Sequence, residues 1–322
     1  MNIQTLTQVI KNHFNLFLKG IGMGTANVIP GVSGGTIALI TGIFERLIDA
    51  IKSFDVKAFK LIFKGNFKEF KEHTDLWFLI SIFTGVIVAI VSLAKLFDFL
   101  FANYPYYIWA YFFGLVLASI FFVGKTITKW SIPVYLFLTL GTAIAVGISI
   151  LNPASPNDGF FYLMICGVVA VCSMILPGLS GSFVLLLMGN YQLVAIDAIN
   201  NKDLHILLPV LIGAVVGLVA FSHLLSWIFK KYRNQTIALL TGFILGSLAI
   251  LWPWQFEEYL IDNAGNFILK DGEKIVSSYV KFMPESFNGE VIGIIFTIFV
   301  GIVSIWLIER FASKKKELPS ES

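Results

Sequence analysis

The chain has 322 residues, of which 57% are hydrophobic and 13% charged, with a mean hydropathy of +0.82. Soluble domains carry about 25% charged residues, so this composition excludes a soluble globular protein and indicates an integral membrane protein. The net charge of +3 is too small to suggest nucleic-acid binding, and Cys166 and Cys172, without metal-ligand or redox spacing, read as small buried apolar residues.

The N-terminus starts polar and continues as an interfacial segment with Lys11, His13 and Lys19 among apolar residues. No secretory signal is evident, and the segment is expected to be retained. An apolar stretch over 15–48 is then broken by Pro30-Gly31-Val32-Ser33-Gly34-Gly35. A lysine-rich polar loop, 49–75, separates it from the apolar segments 76–101, 105–124 and 132–150, each long enough to cross a bilayer. A second apolar stretch, 160–199, is broken by Pro177-Gly178-Leu179-Ser180-Gly181-Ser182 and precedes crossings at 204–229, 234–252 and 289–310. Between the last two, residues 267–276 read as a β-hairpin turning at Asp271-Gly272. Residues 312–322 form a polar tail containing Lys314, Lys315 and Lys316.

The two broken stretches belong to a longer repeat. Residues 76–119 align with 204–247 without a gap, matching Gly85 to Gly213, Tyr104 to Tyr232, Gly114 to Gly242 and Ser119 to Ser247. The chain therefore reads as two repeats, 1–150 and 151–311, each with one broken segment and three crossings. Lys314 to Lys316 put the C-terminus in the cytoplasm by the positive-inside rule. Counting back, Lys230, Lys231, Arg233, Lys125, Lys129 and the lysines of 49–75 fall on the same side only if 160–199 enters and leaves by one face. The expected fold is an all-α polytopic membrane protein. It is an inverted repeat in which each half is one re-entrant helical hairpin (15–48 or 160–199) plus three transmembrane helices, with both termini cytoplasmic.

Two readings of Pro-Gly-x-Ser-Gly fit the residues alone. Gly permits a tight bend while Ser caps the next helix. Alternatively, the helix start offers N–H groups, its dipole and a hydroxyl to an anion. Matched breaks in two halves point to a transport site. The candidate binding residues are Asn27, Pro30, Gly31, Ser33, Gly34, Gly35 and Thr36 at the first break, and Pro177, Gly178, Ser180, Gly181 and Ser182 at the second. Glu45-Arg46 closes the first hairpin where the second has Gln192-Leu193. Arg46 fits either a snorkelling interfacial side chain or a bidentate phosphate clamp. Glu45 and His223 are candidates for ion coupling. The sequence has no metal-ligand spacing, Walker A string or Gly-x-Ser-x-Gly elbow, so it calls for no cofactor and gives no reason to expect an enzyme.

The string Gly24-Thr25-Ala26-Asn27-Val28-Ile29-Pro30-Gly31-Val32-Ser33-Gly34-Gly35-Thr36, followed by Thr41-Gly42-Ile43-Phe44-Glu45-Arg46-Leu47-Ile48, resembles the bacterial and archaeal polyprenyl-phosphate transporters, formerly a membrane domain family of unknown function. Met174-Ile175-Leu176-Pro177-Gly178-Leu179-Ser180-Gly181-Ser182, with Gly189 and Tyr191, is similar to that family's second motif. The resemblance covers nearly the whole chain. It implies a translocase of the inner membrane that returns undecaprenyl phosphate from the outer to the cytoplasmic leaflet, for reuse in envelope polymer synthesis. The implied partners are a polyprenyl-phosphate lipid and, for coupling, protons or sodium; rocking of the inverted halves would expose a phosphate cup to each side in turn. On the residues alone, three rivals stay open: a transporter or channel for a small soluble anion, a membrane lipid phosphatase and a non-transporting envelope scaffold.

Overall fold

Apolar runs with no polar face fold here as helices, whose backbone hydrogen bonds are satisfied internally as lipid demands. The computed structural model describes residues 3–28, 33–151, 154–259, 261, 266–267, 269–270, 273–274 and 276–314. Pro30, Gly31, Asp271, Gly272 and the tail from 315 lie outside the described residues. The first broken stretch forms α1 (Ile3–Val28), α2 (Gly34–Ile40) and α3 (Phe44–Lys52). Next come α4 (Val56–Phe63), α5 (Phe67–His73), α6 (Leu76–Asn103), α7 (Pro105–Gly124) and α8 (Ile132–Ser149). The second broken stretch forms α9 (Phe160–Ile175), α10 (Gly181–Leu187), a π-helical turn over Leu193–Asp197 and α11 (Ala198–Asn200). The chain continues through α12 (Leu204–Lys231) and α13 (Arg233–Ser247) to a final helix, α14 (Gly289–Lys314). Among the described residues, five helical stretches are long and apolar enough to cross a membrane: Leu76–Leu93, Pro105–Gly124, Ile132–Ser149, Leu204–Lys231 and Gly289–Leu307. The chain is a helical, multi-pass membrane protein.

Four local outcomes differ from the sequence expectation. The expected crossing 234–252 is the 15-residue α13, which gives way to turns before Trp252-Pro253. It is enclosed rather than lipid-facing, with Ile237, Leu240 and Ile244 fully buried. The expected loop 49–75 is largely helical, because Asp55 caps α4 through the Ala58 amide and Asn66 caps α5 through the Glu69 amide. The loop between α13 and α14 holds more than a hairpin: β1 (Gln255–Tyr259) pairs antiparallel with β4 (Val276–Lys281), enclosing the expected hairpin of β2 (Leu269–Lys270) and β3 (Glu273–Lys274). Finally, α14 continues through Lys314, into the expected polar tail.

Helix packing occurs in two matching sets. Helix α1 lies along α6 as α9 lies along α12, and α7 lies along α14 as α13 lies along α8. Glycine decides how closely each pair approaches. At Gly85 and Gly213 an added Cβ would strike the backbone of Phe17 and Met164, and at Gly114 and Gly242 that of Ile298 and Leu138. Small residues at such crossings substitute van der Waals contact for the hydrophobic drive that lipid cannot supply. One consequence was not expected. Because α14 packs on α7 and α8 on α13, the third long helix of each sequence half sits against the second of the other half. The sequence halves are exchanged, not side by side.

Candidate functional site

The site is built from the two breaks. In the first, Ser33 adopts extended backbone and caps α2, its Oγ accepting from the Gly35 amide at 3.1 Å. Asn27, near the end of α1, accepts from the Gly34 amide at 2.7 Å. These bonds satisfy donors that a helix start otherwise leaves open. The far end of α2 turns at Gly42 (φ 70°), where the Gly42 and Ile43 amides return to the carbonyls of Leu39 and Ala38. The second break repeats that turn at Gly189 (φ 73°), with the Gly189 and Asn190 amides returning to Leu186 and Leu185. Even the polar caps correspond: Lys19 Nζ donates to the Thr41 carbonyl at 2.7 Å, and the Tyr162 hydroxyl donates to the Met188 carbonyl at 2.8 Å.

The two helix starts differ. Ser180 makes no side-chain cap for α10; its hydroxyl instead pairs with that of Ser182 at 2.8 Å. Among the described residues, nothing accepts from the amides of Gly181, Ser182 or Phe183. Ser182 is exposed, whereas Ser33 and Thr36 are buried. The first start is thus closed by its own side chains, and the second is open.

The breaks also touch. Thr36 Oγ1 accepts from the Gly178 amide at 3.1 Å, and Ser33 Oγ donates to the Met174 carbonyl at 3.4 Å. Gly35 lies so close to the Ile175 carbonyl that a Cβ there would sit 2.6 Å from its oxygen. Gly178 takes φ 81°, a left-handed value that glycine adopts without a Cβ penalty, and lies against the Phe243 carbonyl of α13.

Charged candidates lie elsewhere. Arg46 grips Asp75 with both arms of its guanidinium, at 2.6 and 3.1 Å, while stacking 4.3 Å from the Phe78 ring centre. Glu45 pairs with Arg233 at 2.7 Å. Asp49 accepts from the Ser226 hydroxyl at 2.6 Å and lies 3.4 Å from Lys230 Nζ. Helix α3 is therefore held to the distant junction of α12 and α13. His223 Nδ1 lies 2.8 Å from the Val219 carbonyl on its own helix.

A family model described as undecaprenyl phosphate translocase-like matches residues 23–268, a span that includes both breaks. The chain belongs to this family. It is 41% identical over 244 residues to a polyprenyl-phosphate transporter of Vibrio cholerae, covering 76% of this chain and 79% of that protein. It is 31% identical over 253 residues to a polyprenyl-phosphate transporter of Staphylococcus aureus, covering 73% and 85% respectively. No solved structure matches the chain.

For this family member, the sequence-predicted residues Asn27, Ser33, Gly34, Gly35, Thr36, Pro177 and Gly178 come together at the touching breaks, with Ser180, Gly181 and Ser182 beside them. Glu45, Arg46 and His223 make their bonds outside that cluster. Asp49, Asp75, Ser226 and Lys230 were not singled out as site residues. Lys230 and Arg233 entered the sequence reading only as topology markers, since nothing in their spacing names an acidic partner on a distant helix.

Proposed function

We propose that the protein is a polyprenyl-phosphate translocase, carrying undecaprenyl phosphate or a close relative from the outer to the cytoplasmic leaflet of the inner membrane for reuse in envelope synthesis. In this reading the broken stretches are re-entrant hairpins of an inverted repeat with both termini cytoplasmic. Their tips form the phosphate cup. The observation that carries the proposal is the open start of α10 beside the closed start of α2. At membrane depth, an amide without an acceptor costs several kcal/mol, and a phosphate oxygen is the acceptor that the Ser180 and Ser182 hydroxyls would join in holding.

Depth supports this. Gly178 packs on Phe243, about 15 Å along α13 from Arg233 at 1.5 Å per residue, near the middle of a hydrocarbon core about 30 Å thick. Exposure supports a lipid over a soluble anion. Gly181 packs against Met174, which is 58% exposed, so a phosphate at Ser182 can keep its prenyl chain in the bilayer.

The exchanged third helices sharpen the motion. Rocking whole sequence halves would tear α7 from α14 and α8 from α13. The proposed moving parts are instead the tip-bearing pairs α1–α6 and α9–α12, working against the central helices α7, α8, α13 and α14. The pairs Glu45–Arg233 and Asp49–Lys230 would part and re-form as α3 moves relative to α12. Arg46 would exchange Asp75 for the phosphate as the headgroup leaves toward the cytoplasm, since both anions fit its planar fork. Glu45 and His223 are the proposed coupling groups for protons or sodium.

The test is reconstitution in liposomes with a labelled polyprenyl phosphate, following leaflet exchange with and without a pH gradient. Protein-dependent exchange, accelerated by the gradient and without release of inorganic phosphate, is expected. Flux of soluble phosphate without lipid exchange would favour the soluble-anion reading, and phosphate release would favour a phosphatase.

A further inference from the structure

The α4–α5 hairpin is not needed to build the tips, yet its surface is unusual. Residues 52–73 hold six lysines, Lys52, Lys57, Lys60, Lys64, Lys68 and Lys71, against three acidic residues. Helix α4 divides into three stripes. Ala58 and Leu61 face inward and are buried. Val56, Phe59, Ile62 and Phe63 form an outward apolar stripe, with Phe63 88% exposed. Lys57 and Lys60, with Lys64 just beyond the helix end, form a basic stripe next to it at helical spacing. Phe67 at the start of α5 extends the apolar surface.

The hairpin is held in a fixed posture. Phe54 meets Phe70 edge-on at 6.2 Å, His73 Nε2 lies 3.1 Å from Asp55 Oδ1, and Lys57 pairs with Glu69 at 3.8 Å. Its attachment also sets its level. Thr74, which is buried, and the partly exposed Asp75 join α5 directly to the apolar span beginning at Leu76. At that junction Trp77, 56% exposed, has Lys71 Nζ 5.7 Å from its ring centre. An exposed Trp at the end of a span marks the headgroup level. Phenylalanines bordered by lysines at that level match a helix lying in a membrane interface, apolar face in the acyl boundary and ammonium groups among the headgroups.

We propose that α4 and α5 dock on the anionic lipid surface of the leaflet that α6 enters. The lysines supply the charge complement, since juxtamembrane lysine clusters are drawn to anionic headgroups and the attraction is screened by salt. The Val56–Phe59–Phe63 stripe supplies the apolar contact. Docking would fix the start of α6, and with it Asp75, the partner of Arg46.

The test uses the full chain in vesicles, with an environment-sensitive fluorophore on Phe63→Cys in a Cys172→Ser background; Cys166 is fully buried. In vesicles containing phosphatidylglycerol, we expect blue-shifted emission quenched several-fold by spin-labelled lipid, with most of that quenching lost in phosphatidylcholine alone. Replacing Lys57, Lys60 and Lys64 with Gln should abolish the lipid dependence. Quenching equal in both vesicle types overturns the proposal, as does aqueous emission in both. A blue shift without quenching by spin-labelled lipid also overturns it, because it would mean that protein covers the stripe.

Discussion

Thr36 Oγ1 accepts a hydrogen bond from the Gly178 amide at 3.1 Å, joining positions 142 apart in sequence. Both residues are buried, so removing the acceptor leaves an amide unpaired. Thr36→Val, nearly the same shape, is expected to cost about 1–3 kcal/mol and to slow transport, while Thr36→Ser keeps the bond. Thermal unfolding in detergent and transport in vesicles should both rank Ser above Val.

Glycine contact gives a second expectation. Gly35→Ala would put a methyl 2.6 Å from the Ile175 carbonyl and force the tips apart. Gly42, at φ 70°, has open space around it, so Gly42→Ala meets backbone strain alone, about 1 kcal/mol. Transport should collapse in the first variant and persist in the second at comparable expression.

How far the sequence anticipated these features depends on how local their causes are. The breaks were legible because Pro and Gly act on their own backbone, and the close helix crossings because Gly85, Gly114, Gly213 and Gly242 recur in register. Helices α4 and α5 were also written locally, in the caps Asp55 and Asn66, but the density of lysines around them reads first as a loop. The ion pairs were not legible: Glu45 and Arg233 lie 188 positions apart, and only the packing of α3 on α12 brings them together. The open start of α10 was invisible for a similar reason. Ser33 and Ser180 share the pattern Pro-Gly-x-Ser-Gly, but Asn27 caps α2 where Met174 occupies the matching place before α10, and Gly35 is matched by Ser182, whose hydroxyl pairs with Ser180.

The clasp on α3 should affect function more than stability. Glu45 and Arg233 are about half exposed, and such pairs contribute about 0.2–1 kcal/mol. Arg233→Glu is expected to leave unfolding temperature almost unchanged but reduce transport, and adding Glu45→Arg should restore much of the rate. A double-mutant cycle on transport rate checks this; additive losses would leave the pair without a role in the cycle.

Acid should loosen α4. The hydrogen bond from the Ala58 amide is the main cause holding the Asp55 carboxyl below its ordinary range; it outweighs the opposing effect of burial, and His73 adds to it. A depressed carboxylate contributes stability above its unfolded value, and that contribution is lost as pH falls through the lower folded value. Little change from Asp55 is expected between neutral pH and about pH 5, with loss below about pH 4. Asp55→Ala should cost about 1 kcal/mol at neutral pH and Asp55→Asn much less. Amide exchange across Val56–Phe63 reads both effects.

The proposed seat of the lipid phosphate is the open start of α10. The direct measurement is leaflet exchange of a labelled polyprenyl phosphate in liposomes containing either the native chain or the Ser180→Ala, Ser182→Ala double variant. Ser182 is exposed and neither hydroxyl caps the helix, so the variant should fold with an unchanged unfolding temperature. Exchange should fall at least about tenfold, equivalent to about 1.4 kcal/mol. Exchange at the native rate in a folded variant would contradict it.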